Sequence, residues 1–170
     1  VGSVLPAIKV YNNRDVDELI ILDTDASVKN DEIDYESIED FSPDCFIPLT
    51  IGGGIKNIDQ VQKLLHLGAD KISINSASYE CPDLITKIAS VHGSQSIVSS
   101  VDVRKVDKDK WMCFSHSGTK STSKEVRQWV RELEDRGAGE ILLTSIDFDG
   151  TLNGYDLKLI EKVVSNLSFS

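Results

Sequence analysis

The chain has 170 residues, 40% of them hydrophobic and 27% charged, with 18 basic against 28 acidic side chains and a formal net charge of −10. That length suits one domain with a real core, and an acidic balance without a basic face argues against a nonspecific nucleic-acid binder. No apolar run approaches the roughly 20 residues of a membrane span, and no secretory signal is visible. An anionic substrate stays open, because backbone amides and helix N-termini hold phosphate without basic side chains. Cys45, Cys81 and Cys113 are too few and too scattered for a disulfide framework or a zinc cluster. Each reads as a small buried hydrophobe in a reducing cytoplasm.

Helical stripes and short aliphatic runs alternate along the chain. Leu5, Ile8 and Tyr11 suggest an opening helix, and residues 18–23 form the first aliphatic run, ending in Asp23. Tyr35, Ile38 and Phe41 suggest a short helix, and residues 47–51 run into Gly52, Gly53 and Gly54. Ile58, Val61, Leu64 and Leu65 share a helix face, with Asn57 and Gln60 spaced as a capping pair. Residues 71–75 form a third run, followed by a stripe of Leu84, Ile85, Ile88 and Ala89 between Pro82 and Gly93. Residues 96–102 form the fourth run. From Val106 to Thr119 no helical stripe can be traced, and the stretch reads as a hairpin inserted after that strand. Val126, Trp129, Val130 and Leu133 form a helix entered by Thr122 and Glu125 and closed by Gly137. Residues 140–145 are the fifth run, and Leu157, Ile160, Val163 and Val164 the last stripe.

Strands this short, rich in Ile, Leu and Val and not strictly alternating, are those of a parallel sheet buried on both faces. Strict βα alternation implies right-handed crossovers. Residues 14–18 and 136–140 repeat a charged lead-in to an aliphatic run, which sets Asp25 opposite Asp147. The two segments lie about half of a (β/α)₈ barrel apart, taking roughly 250 residues for the whole.

Polar residues gather at the C-terminal ends of the strands: Asp23 and Asp25, Gly52 to Gly54, Asn75 and Ser76, Asp102, then Thr144, Ser145, Asp147 and Asp149. Those ends share one rim in a parallel α/β fold, where active sites form. The glycine triplet lets backbone N–H groups approach an anion, or else serves a tight turn. It is no dinucleotide fingerprint, and no Walker motif is present. Asp102 is either a proton-transfer group with a pKa raised by burial, or a partner for Arg104 or Lys105. Glu18, Lys71 and Glu140 stand at strand starts, either as a charged ring or as ordinary solvated ends. His66, His92 and His116 lack ligand spacing, and Trp129 belongs to a core stripe.

Together, residues 22–27, Ile51-Gly52-Gly53-Gly54-Ile55, residues 68–75, Gly93-Ser94-Gln95 before Asp102, and residues 137–151 resemble the cyclase subunit of imidazole glycerol phosphate synthase over essentially the whole chain. The resemblance implies a (β/α)₈ barrel of which residues 1–170 carry about strands two to six and helices one to six as a single partial domain. It implies a lyase that uses ammonia from a glutaminase partner to turn a bisphosphorylated ribulosyl-aminoimidazole carboxamide nucleotide into imidazole glycerol phosphate and aminoimidazole carboxamide ribotide. No cofactor, metal, nucleic acid or membrane is expected, and the cytoplasm is the expected compartment.

The family uses two aspartates as general acid and base. Asp102 matches the second, and the first belongs to a strand before residue 1. Gly53, Gly54, Asn75 and Ser76 match one phosphate-binding half, Asp149 and Gly150 the start of the other, with Ser117 and Thr144 on the substrate side and Asp23 on the rim. Glu18, Lys71 and Glu140 match the salt-bridged ring where ammonia enters. Asp25 stands where the histidine-pathway enzyme usually has Thr. Residues 45–49 and 99–103 look closer to a paralogue tied to surface-polysaccharide synthesis, which makes ammonia-dependent amidation of a sugar the alternative. The chain starts Val1-Gly2-Ser3 and stops just after a helical pattern, so both ends read as cut. On that reading the piece alone is inactive and self-associates, and a truncated barrel that only binds a partner is the third alternative.

Overall fold

A computed structural model of the chain describes residues 4–14, 16–24, 32–165 and 167. The expectations placed on Val1 to Ser3, on Asp25 and its neighbours, and on the last serines lie outside the described residues. Two compact units emerge, Val1–Ser73 and Ile74–Ser170. Both alternate helices with parallel strands, as expected for part of a (β/α)₈ barrel.

The first unit contains α1 (Leu5–Asn12), β1 (Leu19–Leu22), α2 (Tyr35–Phe41), β2 (Leu49–Gly52), α3 (Ile58–His66) and all but the last residue of β3 (Lys71–Ile74). β1 pairs β2 in parallel, with Leu19 beside Leu49 and Leu22 beside Gly52. β2 pairs β3 in parallel, with Ile51 beside Ile72. Every residue of β2 is buried, which is why it shows no alternation in sequence. Asp70 fastens the start of β3 to β2: its carboxylate accepts from Leu49 N at 2.8 Å, while its own N–H donates to Leu49 O at 2.8 Å. Asn57 caps α3 by accepting from Gln60 N at 3.0 Å. The reciprocal bond runs from Lys56 N to Gln60 Oε1 at 2.7 Å, so the expected capping pair is real with its return bond moved one residue. Val61 and Leu64 carry the buried face of α3. Asp34 caps α2, accepting from both Ser37 N and Ser37 Oγ.

The second unit contains α4 (Ser76–Glu80), α5 (Asp83–His92), β4 (Ile97–Asp107), β5 (Lys110–Ser115), β6 (Lys120–Glu125), α6 (Val126–Asp135), β7 (Glu140–Ser145) and α7 (Leu157–Val164). β4 is long because it serves two neighbours. Residues Val98 to Val103 pair β7 in parallel, and residues Asp102 to Asp107 pair β5 antiparallel. β6 then pairs β5 antiparallel. The inserted segment is therefore a three-stranded meander reaching Glu125, longer than the hairpin expected over 106–119. Its signature is alternation: Trp111, Cys113 and Ser115 are buried and the residues between them are not.

Three further expectations are corrected. Thr122 is no helix entry. It lies inside β6 and donates its hydroxyl to Cys113 O at 2.8 Å, while Glu125 alone caps α6, accepting from Arg127 N at 3.0 Å and Gln128 N at 3.3 Å. α7 is turned relative to its expected stripe. Leu159 and Val163, spaced i,i+4, are buried, whereas Leu157 and Val164 are 72% and 64% exposed. Cys81 is exposed rather than buried, and Cys45 is only half-buried, leaving Cys113 as the one thiol inside the core. The short α4 had no sequence stripe, because five residues are too few to show a helical period.

Candidate active site

In the second unit, Asp102 sits near the C-terminal end of β4's parallel pairing, beside Thr144 of β7 and Phe114 of β5. Its Oδ2 accepts a hydrogen bond from Asn75 Nδ2 at 2.8 Å, and the Thr144 hydroxyl donates to the same carboxylate. Burial pushes the Asp102 carboxyl above the usual carboxylate range. The bonds from Asn75 and Thr144 oppose that rise, and the like charge of Asp149 adds to it. The pairing alternative fails on geometry. Arg104 Nε lies 3.6 Å from Asp147 and its guanidinium stacks over Phe114, while Lys105 lies over the Trp111 ring.

The turn between β5 and β6 carries three successive residues in the left-handed region, His116 (φ 52°), Ser117 (φ 53°) and Gly118 (φ 76°). Two non-glycine residues in that region mark local strain of the kind found at binding turns. The turn is held against α4, for His116 N donates to Ser76 Oγ at 3.0 Å and His116 Nε2 lies 3.6 Å from Glu80. The structure thus brings Ser76 and the turn bearing Ser117 together.

After β7 the chain turns through Asp149 and Gly150 above a cavity of about 350 Å³, lined also by Thr144, Ser145, Phe148, Tyr155 and Asp156. Asp149 N donates to Ser145 O at 2.9 Å, closing the turn. Gly150 (φ 70°) faces open space: a side chain there would meet nothing within 4 Å. Asp147 does not face this cavity's chemistry. It accepts from Lys105 N at 3.0 Å and pairs with Arg104, so it holds the extended part of β4.

In the first unit, Asp23 follows β1, donating from its N–H to Gly52 O at 2.9 Å. Gly53 (φ 113°) packs directly on it. A Cβ at Gly53 would fall against the Asp23 carbonyl oxygen and within 2.8 Å of the Asp23 Cβ and nitrogen. Close approach to β1 is thus a sufficient reason for glycine at 53. Gly54 adopts φ 66°. At the other end of these strands, Glu18 precedes β1 rather than opening it, and bonds Lys71 Nζ at 2.9 Å. The Thr50 hydroxyl donates to the same carboxylate oxygen at 2.9 Å. Glu140 opens β7 in the second unit, beside Val98.

Sequence reasoning missed Asp156. Its Oδ1 caps α7 at Leu159 N (3.2 Å), and its Oδ2 accepts from the buried Trp111 indole N–H at 3.2 Å. An Asp just ahead of an apolar stripe is a cap signal that could have found the first role, but not the second. The bond from Asn75 to Asp102 and the pinning of His116 were missed as well, since neither has a local sequence signal. Trp129 is wholly buried and stacks on Tyr79 with ring centroids 4.4 Å apart, as a core residue should. Among the described residues no group of three or more His, Cys, Asp or Glu side chains is arranged to hold a metal ion, and no helix is long and apolar enough to cross a membrane.

The sequence profile of a family described as "Histidine biosynthesis protein" matches residues 1–170. A Campylobacter jejuni protein with the provisional name imidazole glycerol phosphate synthase subunit hisF2 is 51% identical over 161 residues, covering 95% of this chain and 63% of its own length. The imidazole glycerol phosphate synthase subunit HisF of Dictyoglomus turgidum is 45% identical, covering 97% and 66%. The HisF of Pelodictyon phaeoclathratiforme is 42% identical, covering 98% and 66%. The chain therefore spans just under two thirds of the length of these relatives.

Proposed function

Because the chain belongs to the histidine biosynthesis protein family, we propose that it is part of a cyclase-type lyase that uses ammonia from a glutaminase partner. The product pair would be imidazole glycerol phosphate and aminoimidazole carboxamide ribotide. The observation that carries this reading is the Asp102 carboxyl, partly buried at a strand end and oriented by Asn75 and Thr144. A general base needs a fixed position and a pKa drawn toward the working pH, and this carboxyl has both. Ionised, Asp102 takes a proton from the substrate; protonated, it returns one.

Phosphate recognition is assigned to Ser76 with the turn bearing Ser117, to Gly54, and to the loop at Asp149 and Gly150. The Asp149 N–H is already bonded to Ser145 O, so in this reading the backbone approach to phosphate falls to Gly150, where space is open. Asp23, whose backbone packs on Gly53, shapes the rim beside the glycine turn. For ammonia entry this reading assigns the Glu18–Lys71 pair at the strand starts of the first unit and, separately, Glu140 at the start of β7 in the second. The relatives named above are subunits of a synthase, which supports a protein partner here.

The test is ammonia-dependent turnover by the complete protein. Formation of imidazole glycerol phosphate, lowered about 10² to 10⁴-fold in Asp102→Asn, supports the reading. Near-normal turnover by a well-folded Asp102→Asn protein refutes the catalytic role. Activity confined to ammonia-dependent amidation of a sugar would transfer the site to the surface-polysaccharide reaction.

A further inference from the structure

Asn75 was expected among phosphate-binding residues, yet its side chain is engaged elsewhere. Its Nδ2 donates to Asp102 Oδ2 at 2.8 Å, and its Oδ1 is buried with no hydrogen-bond partner. An ionised carboxylate only accepts, so the carboxamide must turn its NH₂ toward Asp102, and the carbonyl oxygen is left without a donor as the cost of that orientation. The backbone of Asn75 is fixed as well. Its carbonyl accepts from Ser78 Oγ at 2.5 Å and from Ser78 N at 3.0 Å, and Ser78 is wholly buried. Asn75 makes no cap bond with its side chain, and its φ of −116° with ψ of −84° is that of a residue held between β3 and α4. Two linked contacts therefore run from the buried Ser78 through Asn75 to one oxygen of Asp102.

We propose that Asn75 is the positioning residue of Asp102, anchored by Ser78, and that its side chain serves the carboxylate rather than a phosphate. The proposal rests on the acid–base reading for its purpose, though not for its geometry. A base whose carboxylate is held at one oxygen presents the other in a defined direction, and the N–H donated by Asn75 favours the ionised form.

The groups around Asp102 keep the titration readable. Tyr79 of α4 and Cys113 of β5 feel the Asp102 charge, but burial pushes the phenol up and the thiol up to about 12. Both stay protonated while Asp102 titrates. Thr144 of β7 donates to it, and Asp149 after β7 is the like charge that raises it. Arg104, on the same strand, is paired with Asp147.

The experiment is an NMR titration of the full chain, following the Asp102 carboxyl carbon and the Asn75 side-chain amide. In the unaltered protein both signals should move with one midpoint. Asn75→Leu, which keeps the size and removes the donor, should raise the Asp102 midpoint by about one pH unit. Ser78→Ala should raise it by less. Asp149→Asn, which removes the like charge, should lower it. In the complete protein the acid limb of kcat should move with the midpoint in Asn75→Leu while KM for the phosphorylated substrate stays close to its original value. Asn75 amide signals that ignore the Asp102 titration, or an Asp102 midpoint unmoved in folded Asn75→Leu, overturn the proposal. So does a raised KM with an unmoved acid limb, the mark of a phosphate ligand. Should Asn75→Leu fail to fold, the amide titration of the unaltered protein and the Ser78→Ala midpoint decide. Normal turnover in Asp102→Asn with the NMR result intact would remove the acid–base reading and leave the positioning contact standing.

Discussion

Gly53 and Gly150 both follow strands, both have positive φ, and both were assigned to phosphate contact, yet the structure separates them sharply. At Gly150 (φ 70°) an added Cβ meets nothing within 4 Å. Gly150→Ala should therefore cost only the left-handed backbone, about 1 kcal/mol. At Gly53 the φ of 113° lies outside the region that an L-residue tolerates in turns, and the new Cβ would be driven into the Asp23 backbone, 2.8 Å from its nitrogen. Strain of about 1–3 kcal/mol adds to overpacking of about 1–3 kcal/mol. Neither is relieved by rotating a side chain, because the obstruction is main chain and β1 is tied there by the bond from Asp23 N to Gly52 O. Gly53→Ala should thus destabilise the protein by about 2–6 kcal/mol, a large part of the roughly 5–15 kcal/mol that holds a domain folded. Urea unfolding of both variants beside the parent protein measures the difference through the midpoint at constant slope. A Gly53→Ala protein no less stable than Gly150→Ala would refute the close-approach argument and return Gly53 to an open, ligand-facing role.

Other outcomes follow from the same contacts. Burial raises the Asp102 carboxyl above its unfolded value, so the folded state holds this proton more tightly. The resulting stability is present below the ordinary carboxylate range and lost as pH rises through the raised pKa. Asp102→Asn should accordingly lift Tm at neutral pH while lowering turnover of the complete protein; a lower Tm at pH 7 and an unchanged one at pH 4 would contradict this. The same raised pKa places the acid limb of kcat above the ordinary carboxylate range, and an acid limb lying within or below that range would speak against Asp102 as the base. Asp156→Ala removes the α7 cap and strands the Trp111 N–H, which should cost about 2–4 kcal/mol in denaturant titration; Asp156→Asn should recover only one of the two bonds, because a carboxamide has a single acceptor oxygen.

Legibility in the sequence tracks the range of the interaction. The five parallel strands were readable because each is a short apolar run buried on both faces, and the Asn57 cap was readable because its partner is Gln60, three residues away. Face assignment failed where two apolar stripes share one helix. In α7 Leu157, Ile160 and Val164 form as good a stripe as Leu159 and Val163, and only tertiary packing selects the latter. Thr122 looked like a cap because hydroxyls before a helical stripe usually are, but strand pairing with Cys113 claimed it first. Asp156 to Trp111 spans 45 residues and Asn75 to Asp102 spans 27. No spacing rule reaches that far.

Asp102 shows most plainly what adjacency can and cannot decide. Residues i and i+2 of a strand point to one face, some 6–7 Å apart along it, so Arg104 is on the correct face of β4 to attend Asp102 and too far along it for a close ion pair unless it reaches back. Asp147, delivered by the turn after β7, meets Arg104 instead and also takes the Lys105 N–H. With Arg104 occupied, the donors that serve the Asp102 carboxylate among the described residues are the neutral Asn75 and Thr144. Neutral donors orient a carboxylate without cancelling the effect of its burial, whereas a guanidinium at contact distance would favour the charged form and pull the pKa down. The prediction is concrete: Asp147→Ala should free Arg104, and if the freed guanidinium swings to Asp102, the Asp102 midpoint should fall and the acid limb of turnover should follow it downward. An unmoved Asp102 midpoint in a folded Asp147→Ala protein would mean that strand geometry alone keeps the two apart, and that Asp147 matters only as an anchor for β4.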